Sequence, residues 1–98
     1  AQRSSVLPDI PTIAEGGVAG YDAAGWNGLF LPRAASRELI VRMHATLKES
    51  LAAPRLKETL LNAGADAVGS SPDAFAQFFA SEIAKWSKVV KAAGIQAK

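Results

Sequence analysis

The sequence predicts a helix-rich α/β chain with three main helices and one or two short strands. Three observations carry this. Apolar residues recur at helical spacing in three stretches, each stretch is bounded by capping residues, prolines or glycines, and two short runs between them have the composition of strands.

The chain opens with a stiff entry. Pro8 and Pro11 fix φ and push Leu7 and Ile10 towards extended conformations, so no helix precedes Thr12. The run Thr12-Ile13-Ala14-Glu15 then has the spacing of a capping box, in which the Thr12 hydroxyl accepts from the Glu15 amide and the Glu15 carboxylate accepts from the Thr12 amide. Gly16 and Gly17 stop it after about one turn, too short a helix to stand alone, so the segment reads as a rigid elbow held by packing elsewhere. A strand is expected at Ala24 to Leu31, ended by Pro32 and weakened by Gly25 and Gly28, which mark a bend or a close backbone approach.

From Ala35 the period becomes helical: Leu39, Met43, Leu47 and Leu51 recur every four residues with Ile40 beside them. Pro54 interrupts and starts a second helix carrying Leu56, Leu60 and Leu61, which Gly64 ends. Ala65 to Val68 has room for a second short strand. Ser71, Pro72 and Asp73 form a strong helix start, after which Phe75, Phe79, Ile83, Trp86 and Val90 make one stripe that Gly94 terminates. Trp86 is expected in the core on this pattern.

Composition narrows the function classes. With 98 residues, 49% hydrophobic and 20% charged, the chain is one domain or part of one, without a disordered tail or a membrane-length apolar run. The absence of cysteine removes disulfides, thiolate metal sites and cysteine nucleophiles. The opening AQRSS lacks the apolar region of an export signal, which leaves an intracellular protein or one whose targeting segment lies outside this sequence. The formal charge of +2 is small. Lys85, Lys88 and Lys91 read as cations near a helix C-terminus, and Arg33, Arg37 and Arg42 as a solvated face, so no nucleic-acid partner is expected.

The same residues hold no recognisable catalytic constellation. His44 is the one histidine, so no multi-histidine metal site can be built, and on its helix it reads as structural. Asp9, Asp22, Glu15 and Asp73 are isolated acids with turn or capping explanations, and no phosphate loop, dinucleotide fingerprint or nucleophile elbow is present. No cofactor and no metal are expected.

Two ordered blocks carry a resemblance. RSSVLPDIPTIAEGGVAGYDAAGWNGLFLP resembles a characteristic segment of the Bug family of extracytoplasmic solute receptors, the binding components of tripartite tricarboxylate transporters, and DAVGSSPDAFAQFFASEIAKWSKVVKAAGI is similar to that family's closing pattern with its E-x-x-K-W helix and final A-G-I. Together the blocks and the helices between them span essentially the whole chain. Two departures stand out. Arg33, Ala34, Ala35 and Ser36 replace the usual A-G-T-P ahead of the long helix, which leaves its start on Ala35 or Ser36 with Glu38, and Asn27 stands where an aromatic residue is common.

The resemblance implies a fold and a task. The chain is similar to the C-terminal portion of a two-lobed, type II periplasmic binding protein, with residues 1–32 ending the second lobe and crossing back, and residues 33–98 belonging with the first lobe. It implies a non-enzymatic receptor of the periplasm that binds a small carboxylate between lobes and delivers it to a cognate membrane transporter. In α/β lobes ligands sit beyond the carboxyl ends of strands, which brings the loop carrying Arg3, Ser4 and Thr12 to the cleft as ligand-binding candidates, with a purely capping role as the alternative for Thr12. Gly25, Trp26 and Gly28 are the hinge candidates, Trp26 being a core aromatic on the structural alternative. Half of such a site is expected to bind poorly by itself, and the uncovered apolar faces are expected to make the isolated chain self-associate. A small independent interaction or dimerisation module is the alternative function.

Overall fold

In the computed structural model, which describes residues 1–97, three helices follow an irregular N-terminal third: α1 (Arg37–Ala52), α2 (Pro54–Asn62) and α3 (Pro72–Ala92). Their starts follow the local chemistry. Ser36 caps α1 by accepting from the Leu39 amide at 3.2 Å, and Ser71 caps α3 by accepting from Ala74 at 3.2 Å, each ahead of an acid in the first turn, Glu38 and Asp73. Ala53 joins α1 to α2. Its extended backbone (φ −64°, ψ 128°) is what a residue before proline prefers, and Pro54 then sits at the first position of α2, where no amide is needed. Helix α3 ends with Ile95 N bonding Val90 O at 3.1 Å and Gly94 N bonding Lys91 O at 3.2 Å, a Schellman pair that requires the φ of +66° found at Gly94.

Helix α1 packs against both α2 and α3, which do not touch each other. Its half-buried side chains are Ile40, His44, Leu47 and Leu51, so the inner face is rotated from the expected Leu39/Met43 line, and those two residues are exposed. His44 brings Nε2 to 3.3 Å from the Gly69 carbonyl, fastening α1 to the link that enters α3, in keeping with a structural histidine. Arg37 and Asp73 pair across the N-termini of α1 and α3 at 3.2 and 3.3 Å in an exposed, weakly stabilising ion pair.

Neither expected strand forms among the described residues. Ala24–Leu31 and Ala65–Val68 lack regular secondary structure, because a strand exists only through the ladder of a neighbour and no second segment runs alongside either one. The helix-rich part of the α/β expectation, three main helices, is thus found, and the one or two short strands are not. Residues 22–32 instead form an extended strap across α3. Trp26 meets Phe75, Phe78 and Phe79 edge-on with ring centroids 5.7, 5.3 and 5.9 Å away, and Phe30 packs on Phe75 and Phe79 at 5.4 and 5.2 Å.

No hydrophobic side chain among the described residues is fully buried. The chain exposes 8250 Å², whereas a compact monomer of this length exposes roughly 5300 Å². Its radius of gyration is 16.5 Å, against about 12.6 Å for a compact domain. Trp86, expected in the core, is 41% exposed, and Ile83 and Val90 on the same stripe are exposed too, so beyond the Phe75/Phe79 end that the strap covers this face of α3 stands open.

Candidate functional site

The N-terminal segment folds around one turn. The Glu15 amide donates to Thr12 Oγ1 at 3.1 Å while the Thr12 amide donates to Glu15 Oε2 at 2.7 Å, so both bonds of the capping box are made. Only the bond from Gly16 N to Thr12 O, at 3.0 Å, has helical spacing from this start, and the expected short helix is a capped turn. It closes as a helix would: Val18 N reaches Ile13 O and Gly17 N reaches Ala14 O, both at 3.3 Å, with Gly17 at φ +116° where a side chain is disfavoured.

Arg3 braces this turn. Its Nε lies 2.9 Å from Glu15 Oε2, its Nη2 2.9 Å from Glu15 Oε1, and its Nη1 donates to the Pro8 carbonyl at 3.1 Å, a forked pairing that suits guanidinium to carboxylate. These bonds, the Arg3 hydrogen bond first and the Thr12 amide second, hold the Glu15 carboxyl at about 2 instead of 4.5. Ser5 pairs with Asp66, tying the segment to the link after α2.

Above the turn lies an open pocket of about 330 Å³. Arg3, Ser4 and Thr12 all line it, so the three ligand-binding candidates come together, and Tyr21 to Ala24 line it as a second segment. Their hydrogen-bonding capacity is only partly used. Arg3 makes its contacts with Nε, one Nη1 and one Nη2 hydrogen, leaving two N–H groups; Thr12 and Ser4 act as acceptors, from Glu15 N and Val6 N, and keep their hydroxyl protons. Glu15 offsets the Arg3 charge and Asp22 also lines the pocket, so it has spare donors without a strong positive field.

The hinge candidates sit elsewhere. Trp26 is held in the aromatic cluster on α3. Gly28 is pressed against Phe75: a Cβ there would lie 2.4 Å from Phe75 Cζ, so its lack of side chain permits close approach. A Cβ at Gly25 would meet nothing within 4 Å.

One cluster escaped the reading of the sequence. Glu82, 8% exposed, accepts from Lys85 Nζ at 2.6 Å and from Trp86 Nε1 at 2.9 Å, and Lys85 Nζ also donates to the Asp22 carbonyl at 2.8 Å. Lys85, then Trp86 and Trp26, hold the Glu82 carboxyl below its ordinary range despite the opposing effect of burial. The i, i+3 and i+4 spacing of Glu82, Lys85 and Trp86 is visible in the sequence, but the reach to Asp22 is not. Lys85 therefore does not serve the helix C-terminus as expected; only Lys91 falls in the last turn.

Known proteins place this geometry in a family. Residues 1–95 match the family described as tripartite tricarboxylate transporter family receptor. The chain is 35% identical over 89 residues, 90% of its length, to the "UPF0065 protein in tcbD-tcbE intergenic region" of Pseudomonas sp. (strain P51), covering 26% of that relative. Over its whole length it is 31% identical to "Protein BugT" of Bordetella pertussis, covering 30% of it, and it is 27% identical to the "UPF0065 protein in clcB-clcD intergenic region" of Pseudomonas knackmussii, covering 53%. The chain thus spans about a quarter to a half of the length of these relatives. No solved structure matches it. No helix among the described residues is long and apolar enough to cross a membrane. The braced turn, the pocket above it and the E-x-x-K-W helix are thus features of a chain that belongs to the tripartite tricarboxylate transporter receptor family.

Proposed function

We propose that this chain supplies one wall of the solute site of an extracytoplasmic, periplasmic receptor, and that the solute is a small carboxylate passed on to a membrane transporter. The observation that carries the reading is the meeting of Arg3, Ser4 and Thr12 at one pocket with donors to spare, on a turn rigid enough to bind without reordering. A carboxylate accepts several hydrogen bonds and gains charge assistance from Arg3; a sugar hydroxyl accepts from Arg3 without its own charge adding to the bond, and a cation is repelled by it. On this proposal residues 1–32 end one lobe and cross to the other, residues 33–98 belong with the first lobe, and Gly25, where a Cβ would meet nothing within 4 Å, carries the hinge freedom.

The open shape of the pocket limits what the chain does alone. Half a site cannot enclose a ligand, so affinity in isolation is on the order of millimolar. The uncovered surface, roughly 3000 Å² beyond that of a compact monomer, exceeds a standard interface and is the face that the rest of a receptor covers. Without it, the chain pairs with a second copy through α3 and the strap, where Leu29 and Phe30 are 68% and 59% exposed. Saturation-transfer NMR with a mixture of citrate, malate, glucose and choline tests the ligand class. Transfer to the two carboxylates is expected, and transfer to glucose or choline alone overturns the reading.

A further inference from the structure

We infer that Lys85 is a positioning residue for the pocket, holding the Tyr21–Ala24 wall in place from α3; the inference rests on reading that pocket as the solute site. The two walls are secured differently. The Arg3–Thr12 wall is braced from within by the Arg3–Glu15 fork and the capping box. Residues 21–24 have one local backbone bond, Tyr21 N to Val18 O at 3.1 Å, and no regular secondary structure. The bond that fastens this wall to a helix is Lys85 Nζ to Asp22 O at 2.8 Å, across 63 positions of sequence.

Lys85 is aimed rather than merely within reach. Glu82 takes its ammonium at 2.6 Å on one carboxylate oxygen, and the other oxygen is occupied by Trp86 Nε1 at 2.9 Å, so the acid cannot swing away without losing both. Glu82 is the one buried residue described, and a buried carboxylate persists only when its charge and lone pairs are met. The Lys85 ammonium also lies 5.6 Å from the Trp86 ring centroid, a cation–π distance that further restricts it. An ordinary i, i+3 surface pair has neither a buried acid nor a third partner on a distant segment. Charge on the donor makes the bond to the Asp22 carbonyl stronger than a neutral one, and it holds the wall at one end while Trp26, packed on α3, holds the chain just beyond it.

The test uses NMR on the 98-residue chain. In Lys85→Met the backbone order parameters of residues 21–24 are expected to fall below about 0.6, the flexible range, with a shifted Asp22 carbonyl ¹³C resonance. The Thr12 and Glu15 amide resonances and the order of α3 stay unchanged. Lys85→Arg, still a charged donor, restores most of the order, and Glu82→Gln, which leaves Lys85 in place but unaimed, gives an intermediate loss. Unchanged order at 21–24 in Lys85→Met, loosening spread equally over α3, or no rescue by arginine overturns the inference. Should Lys85→Met fail to fold, Glu82→Gln decides it: full order at 21–24 refutes the role of Lys85. The order measurement needs no ligand. Loosening of the wall with no citrate transfer removes the solute reading alone, while citrate transfer with an unmoved wall removes the role of Lys85 alone.

Discussion

Replacing Gly28 by alanine pits two effects of opposite sign against each other. Gly→Ala at a compatible backbone stabilises by about 0.4–1 kcal/mol, because the unfolded chain loses freedom. At Gly28 the new methyl would stand 2.4 Å from Phe75 Cζ and 3.1 Å from both Cε atoms, well inside ordinary contact. Retreat of the ring tip would disturb its packing on Trp26, at 5.7 Å, and on Phe30, at 5.4 Å. Overpacking of this kind costs about 1–3 kcal/mol, and each aromatic pair disturbed forfeits about 0.5–1.5 kcal/mol. Strain wins, for a net loss of about 2 kcal/mol and a melting temperature lower by roughly 8–16 °C. Thermal unfolding followed by circular dichroism, with tryptophan fluorescence reporting on Trp26, measures it. Gly25→Ala, which meets nothing within 4 Å, is the control and is expected to be neutral or slightly stabilising. Pairing Gly28→Ala with Phe75→Leu recovers part of the loss if the clash is the cause. An unchanged melting temperature in Gly28→Ala, or a larger drop in Gly25→Ala, refutes the reasoning.

Three further outcomes are expected. Thr12→Ala lowers stability by about 0.5–2 kcal/mol through loss of the cap, whereas Thr12→Ser is nearly silent in the same denaturant titration. The folded Glu15 carboxyl is depressed from 4.5 to about 2, so between those values the unfolded chain binds a proton that the folded chain does not; its contribution is complete above pH 4.5 and lost as pH falls towards 2. Glu15→Gln flattens that part of the stability–pH curve, and an unaltered curve contradicts the assignment. Sedimentation equilibrium at tens of micromolar shows a dimer, and a stable, cooperatively unfolding monomer contradicts the account of the uncovered faces.

What could be read from the sequence was set by how local its causes are. The capping box, the Ser71 cap, Pro54 and the glycine stops depend on residues within a few positions of one another, and the structure has each where the pattern put it, while of the two starts open for α1, Ala35 and Ser36, it uses Ser36. The strands were misjudged for the opposite reason. A run such as Ala24–Leu31 has strand composition, but pairing depends on an edge that composition does not reveal, and here the run lies on aromatic side chains of α3 instead. Spacing likewise put Trp86 on an apolar stripe without saying what covers the stripe. The candidates Arg3, Ser4 and Thr12 were named from resemblance, and spacing gave no hint that Arg3 would spend much of its guanidinium on Glu15. Lys85 was legible as a charge and as a neighbour of Glu82, while its reach to Asp22 is a product of the fold alone.

The central claim, that the Arg3–Thr12 turn presents its donors to a carboxylate, is tested most directly by titrating ¹⁵N-labelled chain with citrate up to tens of millimolar and following every amide. Fast-exchange shifts concentrated at Arg3, Ser4, Thr12 and the Tyr21–Ala24 wall are expected, saturating on the order of millimolar. Shifts absent from those residues, or centred on α1 and α2 instead, contradict it.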